Sequence, residues 1–390
     1  MDTKNADVSS AFSDEKPPFE PILFEKDFMI HISGWYDAYC ASAIQNYRAL
    51  SRLKKSSIQL LMGPWLHGES DKTYAGDVEF GPEAAISGFF DAWHLRWFDH
   101  FLKGKDNGLA EEAPVKIFVM GTGDGRRDEN GRLFHGGYWR SEVDWPLPST
   151  RFTNFYFHSD GSLSTELPGA NDPPTTYTYD PWRPVPTIGG PMAASEPVFA
   201  GGGFDQRERE YTGDPKKGFF GSRPPYLPLK ARPDVVVFQT DPLCEPVEII
   251  GPTVVRLYAS STATDTDFTV KLIDVYPPSK DFPSGFDLNL TDGILRARYR
   301  VSPEHQELMK PGEIYVFTIE PFPTANLFKT GHRIRIDISS SNFPRFDVNP
   351  NTGEPLGMNR RMIPADNTIY HDLIHPSHVI LPVIPNGANQ

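Results

Sequence analysis

Hydrophobic and polar positions change their rhythm once along this chain. Between Asp27 and Gly104 the apolar residues fall into short unbroken runs and helical stripes. FMIHI (28–32) and IQLLM (58–62) are continuous apolar runs of the kind seen in strands buried on both faces. Between them Cys40, Ile44, Tyr47 and Leu50 recur at helical spacing and predict a helix over 38–53. Ile86, Phe90, Trp93, Trp97 and Phe101 form a second stripe, which predicts a helix over 85–103 with Gly104 as its C-cap. Strand, helix, strand, loop, helix is the repeating unit of a parallel sheet.

Beyond the linker at 104–114 the helical period disappears. VKIFVM (115–120), RFTNFYF (151–157), DVVVFQ (234–239), TVVRLYA (253–259), DFTVKLIDVY (267–276), EIYVFTIE (313–320), HRIRIDISS (332–340) and HVILPVI (378–384) are short β-rich segments divided by Pro and Gly loops. Arg333, Arg335 and Asp337 alternate with Ile334, Ile336 and Ile338, the period of a strand with one apolar face. The expected fold class is therefore α/β plus all-β: the C-terminal part of an α/β sheet followed by a jelly-roll β-sandwich. The expected division is a flexible lead-in over 1–26, an α/β part over 27–110 and the sandwich over 111–390. Two parallel strands with apolar faces would leave open edges and uncovered faces, so the rest of the sheet is expected in another polypeptide or in a larger protein.

Composition narrows the function classes. The chain has 390 residues and a net charge of −13, which argues against a nucleic-acid or anionic-membrane surface. Its two cysteines, Cys40 and Cys244, have neither metal-ligand nor disulfide-framework spacing. The polar, acidic N-terminus has no apolar core of a secretory signal, and no apolar run is long enough for a transmembrane helix, so the expected location is cytoplasmic.

Candidate chemistry lies just after each apolar run. Asp37 follows the first and His67 the second, 30 positions apart. Neighbouring parallel strands place their following loops side by side, and functional groups collect there. An Asp that holds a His in one tautomer is the orienting half of a nucleophilic triad, with the His as general base. The competing reading of Asp37 is a helix N-cap, and of His67 a satisfied loop residue.

GWYDAY, GPWLHG and FFDAWHLRWFDHFLKG closely resemble the end of the hydrolase domain in the family of cocaine esterase, X-Pro dipeptidyl-peptidases and α-amino-acid ester hydrolases. The resemblance continues in order through TYTYDPWRPVPTIGG, STATDTDFTVKLIDVYP, DGILRARYR, TGHRIRIDISSSNFPRFDVNPNTG and HPSHVILPVI, and covers residues 27–385. It implies a serine hydrolase with an α/β-hydrolase domain, a helical cap and a C-terminal jelly roll. The family's catalytic Asp and His fall on Asp37 and His67. Tyr39 falls on an aromatic position lining the acyl side of the substrate pocket. The family's nucleophile sits in a GxSxG elbow before the Asp, and no GxSxG occurs in these 390 residues. The expectation is thus a portion of such a hydrolase that lacks the nucleophile and is inactive alone. Its expected partners are a small acyl ester or peptide substrate in the complete enzyme and a polypeptide supplying the missing half. The alternatives are one half of a split hydrolase, or a non-catalytic jelly-roll binding or assembly module or gene remnant. No cofactor is implied.

Other polar groupings read as structural. Asp265 and Asp267 suit a turn and a strand start rather than a metal loop. His371, His375 and His378 are interrupted by Pro376, which breaks any helix that would align them as ligands. GTGDG (121–125) and GGG (201–203) lack the strand-then-helix setting of a phosphate cradle.

Overall fold

The first apolar run forms β1 (Met29–Gly34), and the helical stripe after it forms α1 (Cys40–Leu53). β2 (Ile58–Gly63) pairs with β1 in parallel, Met29 opposite Ile58 through Gly34 opposite Gly63. A computed structural model describes residues 28–53, 57–192, 200–214 and 217–385. The lead-in expected over 1–26 lies outside the described residues.

α1 buries Cys40, Ile44 and Tyr47 in the same core cluster as Leu60 and Met62 of β2. On the opposite face α2 (Ser87–Lys103) follows Ile86, which clusters with Leu61 and Trp65. Gly104 ends α2 in the left-handed conformation, its N–H reaching the carbonyls of Asp99 and His100, the geometry a glycine C-cap provides at least strain.

The expected lone pair of strands is corrected by a third. β3 (Val115–Met120) pairs in parallel with β2, Leu60 opposite Val115. β2 is buried at every position, with α1 in the cluster of Leu60 and Met62 and Phe90 of α2 packed against the cluster of Leu61. β1 is only half-buried along Met29–Ile32, because β2 is its sole strand partner among the described residues.

β3 also carries the sheet into the second region. It pairs with Gly137–Glu142 on one side and meets Thr324–Phe328 at Asn326 opposite Met120. From there the sheet runs through Val247–Gly251, His378–Ile384, Val254–Ser261 and Ala365–Tyr370 to Thr175–Tyr179. A second, antiparallel sheet orders Val236–Gln239, Arg333–Ser339, Asp267–Tyr276 and Phe286–Arg296. Leu257, Phe317, Phe268 and Ile336 fill the space between these sheets in the cluster that also holds Trp35 and Tyr36. The result is α/β plus a β-sandwich, and beyond residue 114 the described helical pieces are the single turns Leu229–Ala231 and Ala297–Tyr299.

The alternation at 333–339 has a different outcome from the simple one. Ile334, Ile336 and Ile338 face the core, but Arg335 and Asp337 are buried as well. Arg335 pairs with Asp337 at 2.7 Å and with Asp287 at 2.8 Å. Beside them Lys271 donates to Gln206 Oε1 at 2.9 Å, and burial pulls its ammonium down to about 8. The Pro-rich excursion before Val236 thus contributes residues that cover this polar face, and each buried charge meets a partner as burial demands.

Candidate active site

Past their last residues, β1 and β2 continue to approach each other. Trp35 N–H donates to Gly63 O at 2.8 Å and Tyr36 N–H to Trp65 O at 3.2 Å, so the ladder extends into both loops. Gly34 allows this: a Cβ there would overlap the Trp65 carbonyl. Asp37 N–H then donates to Gly34 O at 3.0 Å, a tight turn that aims the Asp37 side chain toward the loop after β2.

His67 stands in that loop. Its Nδ1 lies 3.2 Å from Asp37 Oδ2, and the other carboxylate oxygen, Oδ1, accepts the N–H of Tyr39 at 2.8 Å. Asp37 is buried, while the His67 side chain is 53% exposed. A buried carboxylate on Nδ1 favours the tautomer with its proton there, leaving Nε2 on the opposite edge free to accept one. The capping and His-holding readings of Asp37 therefore compete for no atom. Tyr39 sets its ring edge-on to His67, centroids 5.0 Å apart, and is itself exposed.

Cys40, the first residue of α1, is buried next to this carboxylate. Burial and then the charge of Asp37 push its thiol up, and its Sγ lies 3.6 Å from Pro323 O, so it is an inert packing group. Ser33, the residue before Gly34, is buried within β1. A cleft of about 370 Å³ lies elsewhere, between α2 and the middle of the strands, lined by Ile30, Gln59, Trp93, Arg96 and Lys116.

The other polar groupings are held by protein partners, and Asn349 Nδ2 bridges Asp265 and Asp267 at 3.0 and 2.7 Å. Asp265 binds Arg298 at 2.7 Å and Asp267 binds Arg296 at 2.9 Å. His371 bonds Pro173 O, His375 bonds Asp372 and His378 bonds Pro376 O. Gly121 and Gly125 take positive φ in a turn, and Gly202 pairs with Gly190.

Residues around the pair that the sequence left unmarked are held by distant segments, β3 and the excursion before Val236. Trp35 Nε1–H donates to Phe118 O at 2.7 Å, and Met192 N–H donates to Tyr36 O at 2.9 Å. Partners separated by more than 80 positions leave no local periodic signal.

Residues 107–380 match the family model described as the X-Pro dipeptidyl-peptidase C-terminal non-catalytic domain. Cocaine esterase from Rhodococcus sp. strain MB1 Bresler is 36% identical over 364 residues, covering 90% of this chain and 55% of that protein. A putative serine esterase of Mycobacterium bovis is 28% identical over 374 residues, covering 90% of this chain and 49% of that one. A solved α-amino acid ester hydrolase aligns with a TM-score of 0.73 and 27% identity, over 91% of this chain and 55% of its own. The chain thus spans about half the length of the curated relatives it matches.

Proposed function

The chain belongs to the cocaine esterase/X-Pro dipeptidyl-peptidase family, and on that premise we propose that it forms part of a serine hydrolase acting on acyl ester or Xaa-Pro peptide bonds. The observation that carries this reading is the 3.2 Å contact between Asp37 Oδ2 and His67 Nδ1 in the loops that follow two paired parallel strands.

In the reaction His67 Nε2 takes the proton of a serine hydroxyl as that oxygen attacks the acyl carbon. His67 then returns the proton to the leaving alcohol or amine. Asp37 holds Nδ1–H throughout and stabilises the imidazolium that forms between the two transfers. Water repeats the sequence on the acyl-enzyme, breaking the ester to serine and releasing the acid. In this reading Tyr39 lines the acyl side of the pocket, and its ring contact with His67 at 5.0 Å supports that role.

No GxSxG occurs in the 390 residues, so the serine is assigned to a complementing segment, in the same or another polypeptide. β1 supports this assignment. Its second edge has no partner among the described residues, and an unpaired parallel edge offers a full row of N–H and C=O groups for a further strand. The matched domain at 107–380 is described as non-catalytic, and both Asp37 and His67 lie outside it.

The test is a longer protein, or a co-expressed pair, that includes a GxSxG segment. It should hydrolyse p-nitrophenyl esters or Xaa-Pro anilides, and His67→Ala should lower kcat by about 10⁴-fold or more. Turnover unaffected by that substitution would remove the assignment.

A further inference from the structure

Tyr36, the neighbour of Asp37, is held mainly by the sandwich. Its N–H reaches the His67 loop at Trp65 O, but its carbonyl accepts Met192 N–H at 2.9 Å and its hydroxyl donates to Asn289 O at 3.1 Å. The phenol is fully buried. Asn289 lies in Phe286–Arg296, and its side-chain Oδ1 accepts Phe204 N–H at 2.8 Å.

The neighbour of His67 is held by the same stretch of chain. Leu66 packs against Gly201, where a Cβ would overlap Leu66 Cδ2 and come within 2.8 Å of Met192 Cγ. Gly190 and Gly202 exchange two backbone bonds, at 2.8 and 3.1 Å. Gly203 N–H donates to Ala75 O at 3.2 Å, and Gly203 O accepts Asp77 N–H at 2.8 Å. At Gly202 a Cβ would overlap the Ala75 and Gly76 main chain, and at Gly203 it would come within 2.9 Å of the Tyr36 hydroxyl, so glycine permits both approaches.

We propose that the β-sandwich positions the Asp37–His67 pair through residues 188–192 and 200–204, with Tyr36 and Leu66 as the positioning residues that transmit it. This rests on the hydrolase reading above. The physical reason is tolerance: the Nδ1–Oδ2 bond joins two loops on different strands, and misplacement by about 1 Å can cost 10²-fold in rate. A single frame gripping the residue next to each member keeps the two loops in register. The domain described as non-catalytic then acts on the reaction without touching it.

The tautomer of His67 reports the pair directly and needs no turnover. In the ¹⁵N-histidine-labelled full chain, two-bond ¹H–¹⁵N ring correlations identify the tautomer, and the His67 signals are assigned by their loss in His67→Gln. The wild type should hold the Nδ1–H form. Gly201→Ala, which displaces Leu66, and Tyr36→Phe, which removes the bond to Asn289 O, should each shift His67 toward a mixture of tautomers. Ile369→Val, buried in the strand Ala365–Tyr370 of the same sheet, should lower the melting temperature and leave the tautomer unchanged. A mixed tautomer in the wild type would overturn the proposal. So would an unchanged one in both variants, or an equal shift in Ile369→Val. Whether His67 serves catalysis is decided separately by kinetics in the longer protein, so either reading can fail alone.

Discussion

Asp37 binds His67 with one carboxylate oxygen and the main chain at the start of α1 with the other, at 3.2 and 2.8 Å. One buried side chain thus fixes both where the helix begins and how the imidazole is turned.

Those two tasks are separable by substitution. Asn can still accept the Tyr39 N–H, so Asp37→Asn should leave the melting temperature of the chain close to wild type. Asp37→Ala should lose about 0.5–2 kcal/mol of stability with the cap, read by urea unfolding. In the longer hydrolase both should reduce kcat by about 10⁴-fold, because neither holds Nδ1–H with a charge.

Residues 1–390 alone should not hydrolyse p-nitrophenyl esters or Xaa-Pro anilides above a His67→Ala control. They should also resist labelling by fluorophosphonates, since Ser33, the serine nearest Asp37 in sequence, is buried inside β1. Stoichiometric labelling of one serine, read by mass spectrometry, would reveal a nucleophile in this chain and contradict the assignment of the serine to a complementing segment.

The sandwich contains a fully buried ion pair, Arg298 Nε to Asp265 Oδ2 at 2.7 Å, with Arg298 also donating to Glu354 O at 3.0 Å. Arg298→Met should cost about 3–5 kcal/mol, because it leaves the Asp265 carboxylate buried without its counter-charge. Adding Asp265→Asn should recover part of that loss. Additive losses in the double variant would show that the two do not interact.

Stability should also depend on pH through His135. Its Nδ1 lies 2.5 Å from Tyr276 Oη and its Nε2 lies 2.8 Å from Asn326 Oδ1, two uncharged partners around a fully buried ring. Burial pushes its pKa down to about 4, against the opposing charge of Asp274 and with the help of His332 and Lys329. The unfolded chain takes up the proton near 6.5, so between these values it binds more protons than the folded one. Stability is therefore full above about pH 6.5, falls as pH drops, and levels near pH 4, a total loss of about 3 kcal/mol. Urea midpoints of His135→Gln at pH 4.5 and 7 should differ less than those of the wild type. An equal difference would place the acid sensitivity elsewhere.

Elements carried by local pattern were legible without coordinates. Cys40, Ile44 and Tyr47 face the core of α1 because helical periodicity and burial are the same fact seen twice, and Gly104 ends α2 because only glycine takes that conformation cheaply. The order Asp37 then His67 after consecutive apolar runs likewise follows from chain order, since parallel neighbours place their exits side by side. What the chain order left open are relations between distant segments. VKIFVM reads the same as a sandwich strand or as the third parallel strand beside β2, and the partner edge alone makes it the latter. Arg335 and Asp337 alternate like a solvent face, yet residues brought from the excursion before Val236 bury them. Tyr36 and Gly201 carry no periodic mark at all. They matter because the sandwich folds back onto the ends of β1 and β2, and a hydrogen bond between residues 36 and 289 exists only once both sheets are packed.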